Sequence, residues 1–178
     1  MIVLGVDPGT LVTGYGVIEG IGRRIKLVNF GVVKIESSNP LPIRLKTIYD
    51  NLSQVIKTFH PDEFATETAF YGRNVQTTMK IGYARGVAIL AAVNYEIPTT
   101  EYSPREIKKA VTGNGSASKE QVRFMVRTLL NMKETPEFYD ASDALAVAIC
   151  HISRLSSPQS KFRDWKSFIK AHPERVRS

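Results

Sequence analysis

The stretch that most constrains this chain is its beginning, Ile2-Val3-Leu4-Gly5-Val6-Asp7-Pro8-Gly9-Thr10. An uninterrupted apolar run of this length reads as a strand buried on both faces. Pro8-Gly9 then stops the strand and turns the chain back. Asp7 is therefore placed at a strand exit, on a rigid element facing a mouth. Two roles are open to it at this point. It can be a functional carboxylate, or it can accept backbone hydrogen bonds in the turn, as Asp commonly does before Pro-Gly.

A chain of 178 residues suits one domain with a proper core and leaves little room for a second. The hydrophobic share of 43% and charged share of 23% are those of an ordinary folded protein and exclude wholesale disorder. No apolar run is long enough to span a bilayer. The first residues enter a strand without a basic segment or small-residue cleavage site, so a cytoplasmic location is expected. One cysteine, Cys150, rules out an internal disulfide, and three scattered histidines offer no zinc spacing. Cys150 lies in an Ala/Ile/Val helical pattern, where buried packing is its expected role. The net charge of +7 points instead to a polyanionic partner, nucleic acid first. Much of that charge lies after Ser156, where six basic residues face only Asp164 and Glu174. One folded domain over residues 1–156 and a basic tail over 157–178 are thus expected.

Gly14 to Ile18 and Arg24 to Glu36 read as second and third strands, and their short turns imply an antiparallel meander. From Pro42 the period becomes helical, with Leu45, Ile48, Tyr49, Leu52, Val55, Ile56 and Phe59 on one face. His60-Pro61 ends that helix. Glu63 to Thr68 is short and β-capable, and it follows a helix, so it should pair in parallel with the first strand through a crossover. Alternation puts Glu63, Ala65 and Glu67 on one side. Glu67 then reaches the mouth that Asp7 faces.

A long helix from Asn74 to about Glu96 is rich in Gly and Ala, which suits either tight packing on the sheet or contact with a second subunit. Ile97 to Tyr102 reads as a further strand, and Pro104 opens a short helix. Gly113-Asn114-Gly115-Ser116-Ala117-Ser118-Lys119 lacks the Gly-Lys-Ser/Thr ending of a Walker phosphate loop. It is a loop closed by a Ser118 to Gln121 capping box. The helix that follows is expected to bury Val122, Met125, Val126, Leu129 and Leu130 and to leave Arg123 and Arg127 outside. Lys119 opposes the dipole at that helix start, which suits either phosphate contact or a solvated lysine. Tyr139 to Ile149 is helical. Asp140 and Asp143 stand three apart on it and share a face, although acids at a helix start are also ordinary capping chemistry.

Taken together, Asp7, Glu67, Asp140 and Asp143 form a constellation. Four carboxylates converging without local Arg or Lys would repel one another and raise one another's pKa values. Divalent cations remove that conflict, and oxygen-only ligands suit Mg²⁺ or Mn²⁺. Two such ions suit phosphodiester hydrolysis.

Several motifs in order and spacing over residues 1 to 155 closely resemble the RuvC-type Holliday-junction resolvases, a ribonuclease H-like family. They are Asp7-Pro8-Gly9 with Thr13-Gly14-Tyr15-Gly16, Glu67-Thr68-Ala69-Phe70, Arg73-Asn74, Ala84-Arg85-Gly86-Val87-Ala88, Gly113-Asn114-Gly115-Ser116-Ala117 with Lys119, and Asp140-Ala141-Ser142-Asp143-Ala144. The resemblance implies an α/β fold whose mixed central sheet, an antiparallel meander followed by parallel strands, is flanked by helices. It also implies that Asp7, Glu67, Asp140 and Asp143 are the catalytic, metal-binding acids, holding two Mg²⁺ for which Mn²⁺ can substitute. Some members carry His at the position of Asp140; this sequence has the all-carboxylate form. Phe70, Lys108 and Lys119 match DNA-contacting positions, and Arg73 and Lys80 are looser matches. The Asn74 to Glu96 helix matches the dimer region. The expected partners are a four-way DNA junction, a second copy of the chain and the RuvA-RuvB branch-migration complex, with no membrane. The alternatives are another ribonuclease H-like nuclease or transposase, a non-catalytic nucleic-acid-binding protein on this fold, or an actin-like ATPase, for whose second domain there is no room.

Overall fold

The structure is a computed structural model, and it describes residues 1–22, 24–68, 75–133 and 138–156. The expected tail at 157–178, and with it the proposed domain boundary, lies outside the described residues, as do Phe70 and Arg73. The opening run forms β1 (Ile2–Asp7), followed by β2 (Val12–Ile21) and β3 (Arg24–Lys34). These make the antiparallel meander, both later strands differing from expectation by a few residues at their ends. Helix α1 (Leu41–Phe59) ends at His60, whose left-handed φ of 46° lets its N–H reach Ile56 O at 2.9 Å. The chain then enters β4 (Glu63–Glu67), α2 (Val75–Val93) and β5 (Thr99–Tyr102). Pro98, which has no N–H to offer a ladder, leaves β5 shorter than the Ile97 to Tyr102 reading. Then come α3 (Pro104–Thr112), α4 (Lys119–Leu129) and α5 (Tyr139–Ser156).

The strand order is β3-β2-β1-β4-β5, with β4 parallel to β1 and β5 parallel to β4. This is the expected mixed sheet, and its two faces can be read from β1 itself. Leu4 and Val6 join Phe64, Ile48, Leu52 and the alanines of α2 in one core. Val3 points the other way, to a core with Ala65, Leu145 and Val126. Alternation then turns Gly5 and Asp7 toward the α5 side. Helices α1 and α2 cover one face; α3, α4 and α5 cover the other.

Helix α5 lies unusually close to β1 and β2, and glycines make that possible. A Cβ on Gly5 would stand 2.2 Å from Ala144 O, and one on Gly14 would stand 2.0 Å from Asp140 O. Glycine inside a strand marks such an approach of one backbone to another. At the far end of α5, Tyr102 Oη and His151 Nδ1 lie 2.9 Å apart, and His151 Nε2 lies 3.5 Å from Glu63 Oε2. These contacts tie α5 to the neighbouring strands β4 and β5. Burial lowers the His151 pKa, which favours the neutral ring there.

Candidate active site

Asp7 and Glu67 each follow directly on the last registered pair of β1 and β4, Val6 with Thr66. Two parallel strands therefore deliver two carboxylates side by side at one edge of the sheet. The turn after Asp7 is closed by Thr13, which donates to Gly9 O at 2.7 Å and accepts from Gly9 N at 3.2 Å. With Thr13 fully buried and making those bonds, Asp7 is not needed as the turn's acceptor.

The first turns of α5 cross above this edge and bring Asp143 to it. Asp7, Glu67 and Asp143 line a cavity of about 250 Å³ together with Lys108, Lys119 and the apolar side chains Pro104, Ile107, Val122 and Ala146. Asp140 is not among the cavity's lining residues, but it repels both Asp7 and Asp143 electrostatically. The four acids thus form one cluster, three of them in the wall and one at its margin.

Two lysines, Lys108 and Lys119, line the mouth beside the acids and offset part of their mutual repulsion. Ser103 caps α3 and Ser118 caps α4, each through a complete capping box. These boxes set the starts of the two helices, from which Lys108 and Lys119 reach the cavity. Lys119 Nζ lies 3.4 Å from Asp143 Oδ2. Its ammonium is held above the usual lysine range chiefly by Asp143. Lys80 stands exposed near the start of α2, outside the cavity lining.

The carboxylates pay electrostatically for their company. Burial first, then repulsion from Asp143, Glu67 and Asp140, pushes the Asp7 pKa up to about 7, with only Lys119 pulling it down. Burial and Asp143 raise Glu67, against Lys119 and Lys108. Asp143 is also raised: its burial outweighs the ion pair with Lys119. Among the described residues no three such side chains are drawn into a finished metal nest. The donor set nevertheless fits a hard divalent cation, being all oxygen, partly buried and carrying more negative charge than two lysines relieve.

Two features were missed in the sequence. Gly5 and Gly14 do no chemistry, yet they let α5 approach closely enough for its acids to reach Asp7, and glycines inside strands were the available signal. Leu129, expected in the core, is 40% exposed, because α4 buries a narrower stripe centred on Val122, Val126 and the following Leu130.

The family model described as crossover junction endodeoxyribonuclease RuvC matches residues 3–151. The protein of that name from Desulforamulus reducens is 50% identical over 151 residues, covering 85% of this chain and 93% of its own. That from Salinibacter ruber is 44% identical over 177 residues, 99% of each chain. Among solved structures, T. thermophilus RuvC in complex with a Holliday junction substrate matches with a TM-score of 0.83 at 34% identity. The match covers 88% of this chain and 95% of that one.

Proposed function

The chain belongs to the RuvC family of crossover junction endodeoxyribonucleases, and on that premise we propose how its mouth cuts a four-way DNA junction. The fold is ribonuclease H-like and the activity is that of a junction-resolving endonuclease. Asp7, Glu67, Asp140 and Asp143 are the catalytic acids, on residues 1–156 as the nuclease domain. The observation that carries this reading is the meeting of two parallel strand ends with the first turns of α5 in one charged cavity.

The four acids would hold Mg²⁺, two per site, with Mn²⁺ as a substitute. Bound there, the ions supply the Lewis acidity that activates a water and stabilises the leaving oxygen. The protein's own contribution is placement. Asp7 is fixed by a strand and a buried turn, so it needs little reorganisation when phosphate arrives. Lys108 and Lys119 offer positive charge in the same cavity, suited to a phosphodiester. Lys119 can exchange its carboxylate partner for a phosphate oxygen, which leaves Asp143 free as a ligand. Phe70, Arg73 and Lys80 are further DNA contacts in this reading.

The exposed face of α2 supports a homodimer. The helix's alanines Ala84, Ala88, Ala91 and Ala92 are buried, while Val75, Met79, Tyr83, Leu90 and Val93 are exposed. A helix that hides its small residues and shows its large ones has an unpartnered apolar face, and a second copy with two-fold symmetry suits a junction with two like strands to cut. The protein would act in the cytoplasm alongside the RuvA-RuvB branch-migration complex; among the described residues no helix is long and apolar enough to cross a membrane.

The test compares a four-way junction, a linear duplex and an RNA/DNA hybrid, each with Mg²⁺ and with chelator. Cleavage confined to the junction with Mg²⁺, and lost in Asp7→Asn with junction binding kept, supports the assignment. Equal cutting by Asp7→Asn in Mg²⁺ would overturn it.

A further inference from the structure

Helix α4 continues the charge of Lys119 with two arginines, Arg123 and Arg127, that the catalytic mouth does not use. The three stand four residues apart, so they lie near one ridge. Lys119 begins the row inside the catalytic mouth, 3.4 Å from Asp143. One turn on, the Arg123 guanidinium lies 4.2 Å from the centre of the Tyr139 ring. Because Tyr139 precedes Asp143 on α5, the two helices run antiparallel here. The row therefore climbs out of the mouth and past the N-terminal end of α5, with Arg127 exposed one turn farther along.

Beside this row runs an open groove of about 360 Å³, lined by Glu120, Arg123, Phe124, Arg127 and Tyr139. Phe124 is 64% exposed and also borders a second groove of about 440 Å³ on its other side. A large aromatic standing free as a ridge between two grooves, flanked by arginines, is suited to stacking against a sugar or base. Glu120, the acid of the first groove, is turned back on its own helix start, where its backbone N–H and Ser118 hold it. It leaves the path along the arginines open.

We propose that α4 is a DNA track: the strand leaving the catalytic mouth lays its phosphates on Lys119, Arg123 and Arg127 and packs its sugars or bases against Phe124. Eight residues of helix carry the row over about 12 Å. At one charge per ~3.4 Å of axis for each strand, that length meets about three phosphates. Charge complementarity and continuity with the catalytic mouth select DNA as the occupant over a protein partner. Tyr139 holds Arg123 in line by its ring face, while Arg127 and Phe124 do the gripping farther out. The inference rests on the mouth being the catalytic centre, since it is the cut strand that the row receives.

The experiment measures junction binding by the full-length chain in chelator, over a salt series, so that cutting plays no part. Arg127→Gln and Phe124→Ala alter exposed side chains and should leave the fold intact. Each is expected to raise the junction dissociation constant about tenfold. Arg127→Gln should also flatten the dependence of log K on log salt by about 0.9, the loss of one phosphate contact. Lys57→Gln removes an equal charge from exposed α1, on the other face of the sheet, and should change neither quantity. Affinity and salt slope in Arg127→Gln equal to those of Lys57→Gln would overturn the track and leave the Phe124 ridge to a protein partner. The catalytic reading is judged separately. If Asp7→Asn still cuts while Arg127→Gln binds weakly, the mouth assignment fails and the DNA contact on α4 stands.

Discussion

Helices α2 and α5 each carry four alanines, yet they use small residues for opposite ends. In α5 nearly everything from Ala141 to Ile152 is buried, and the strands beneath it supply glycines so that backbone meets backbone. In α2 the alanines alone are buried, and Gly82 and Gly86 face open space with nothing within 4 Å of an added Cβ. Small residues on α5 bring two elements of one chain together and thereby aim Asp143 at Asp7. Those on α2 leave open space beside the helix. The same composition thus serves catalytic geometry in one helix and, in our reading, assembly in the other.

The comparison breaks most visibly at the glycines under α5. Gly14→Ala forces a methyl carbon toward Asp140 O, where only 2.0 Å is available. Backbone cannot swing aside as a side chain can, so α5 must shift. Overpacking of this kind costs about 3 kcal/mol. A displacement near 1 Å at the acids should lower cleavage about 100-fold. Gly5→Ala, opposed by Ala144 O at 2.2 Å, should behave alike. Thermal unfolding and single-turnover cleavage check both. If Gly14→Ala keeps full activity, α5 is not held in place by close approach.

The next test acts on α2. Leu90 is 51% exposed in the single chain, so Leu90→Glu should leave the unfolding free energy of the monomer within about 0.5 kcal/mol. At a dimer interface the same change buries an unpaired charge, and the dimer should weaken by more than about 3 kcal/mol. Sedimentation at several concentrations reads the assembly. Junctions bearing two scissile strands read the consequence, which is single nicks in place of paired ones. A Leu90→Glu protein that stays dimeric would move the interface off α2.

These two regions were readable to different degrees in the sequence. The first strand, its stop at Pro8-Gly9 and the parallel return to Glu67 follow from local rules, because apolar runs and turn residues act over a few positions. Asp140 and Asp143 were found by their helical spacing. What local rules could not show was how near α5 comes to β1, since Gly5 and Gly14 are ordinary strand residues until a helix is laid over them. Lys108 and Lys119 were named by resemblance as DNA contacts, but that they share a cavity with the acids was not legible, because they sit on separate helices and only packing takes them to the carboxylates. Leu129 failed for a simpler reason, that α4 lies at the edge of its layer and buries less than a full helical face.

The charged end of α5 gives a third, smaller effect, opposite in sign to the first. Unfolded, Asp7 releases its proton near 3.8, whereas burial and three neighbouring acids keep it protonated to about pH 7 in the folded chain. A raised folded pKa means that stability is full below pH 4 and falls as pH rises toward 7. In chelator, Asp7→Asn removes this penalty. It should raise stability at pH 8 by about 2 kcal/mol, or ~4–8 °C in Tm, and by little at pH 4. Helix α2 has no acid along its length, so Leu90→Glu should show no matching gain. Equal Tm values for wild type and Asp7→Asn at pH 8 would mean that the acids do not strain the fold.

The smallest effect separates the two uses of glycine most cleanly, because the same substitution has opposite consequences at the two helices. Gly82→Ala places a methyl group where the single chain has open space. An alanine in a helix interior is favoured over glycine by about 1 kcal/mol, so below the dimer's dissociation constant the variant should unfold some ~2–4 °C higher. Above that concentration, the methyl group occupies room that a second copy would use for close approach, and dimer affinity should fall. A protein stabilised when dilute and less dimeric when concentrated is the signature of glycine kept for a neighbour. If Gly82→Ala instead stabilises the chain and leaves the dimer unchanged, the interface uses the larger side chains Tyr83, Leu90 and Val93 without the glycines. If it destabilises the dilute chain, Gly82 belongs with Gly14, a contact within the fold, and the contrast between α2 and α5 fails.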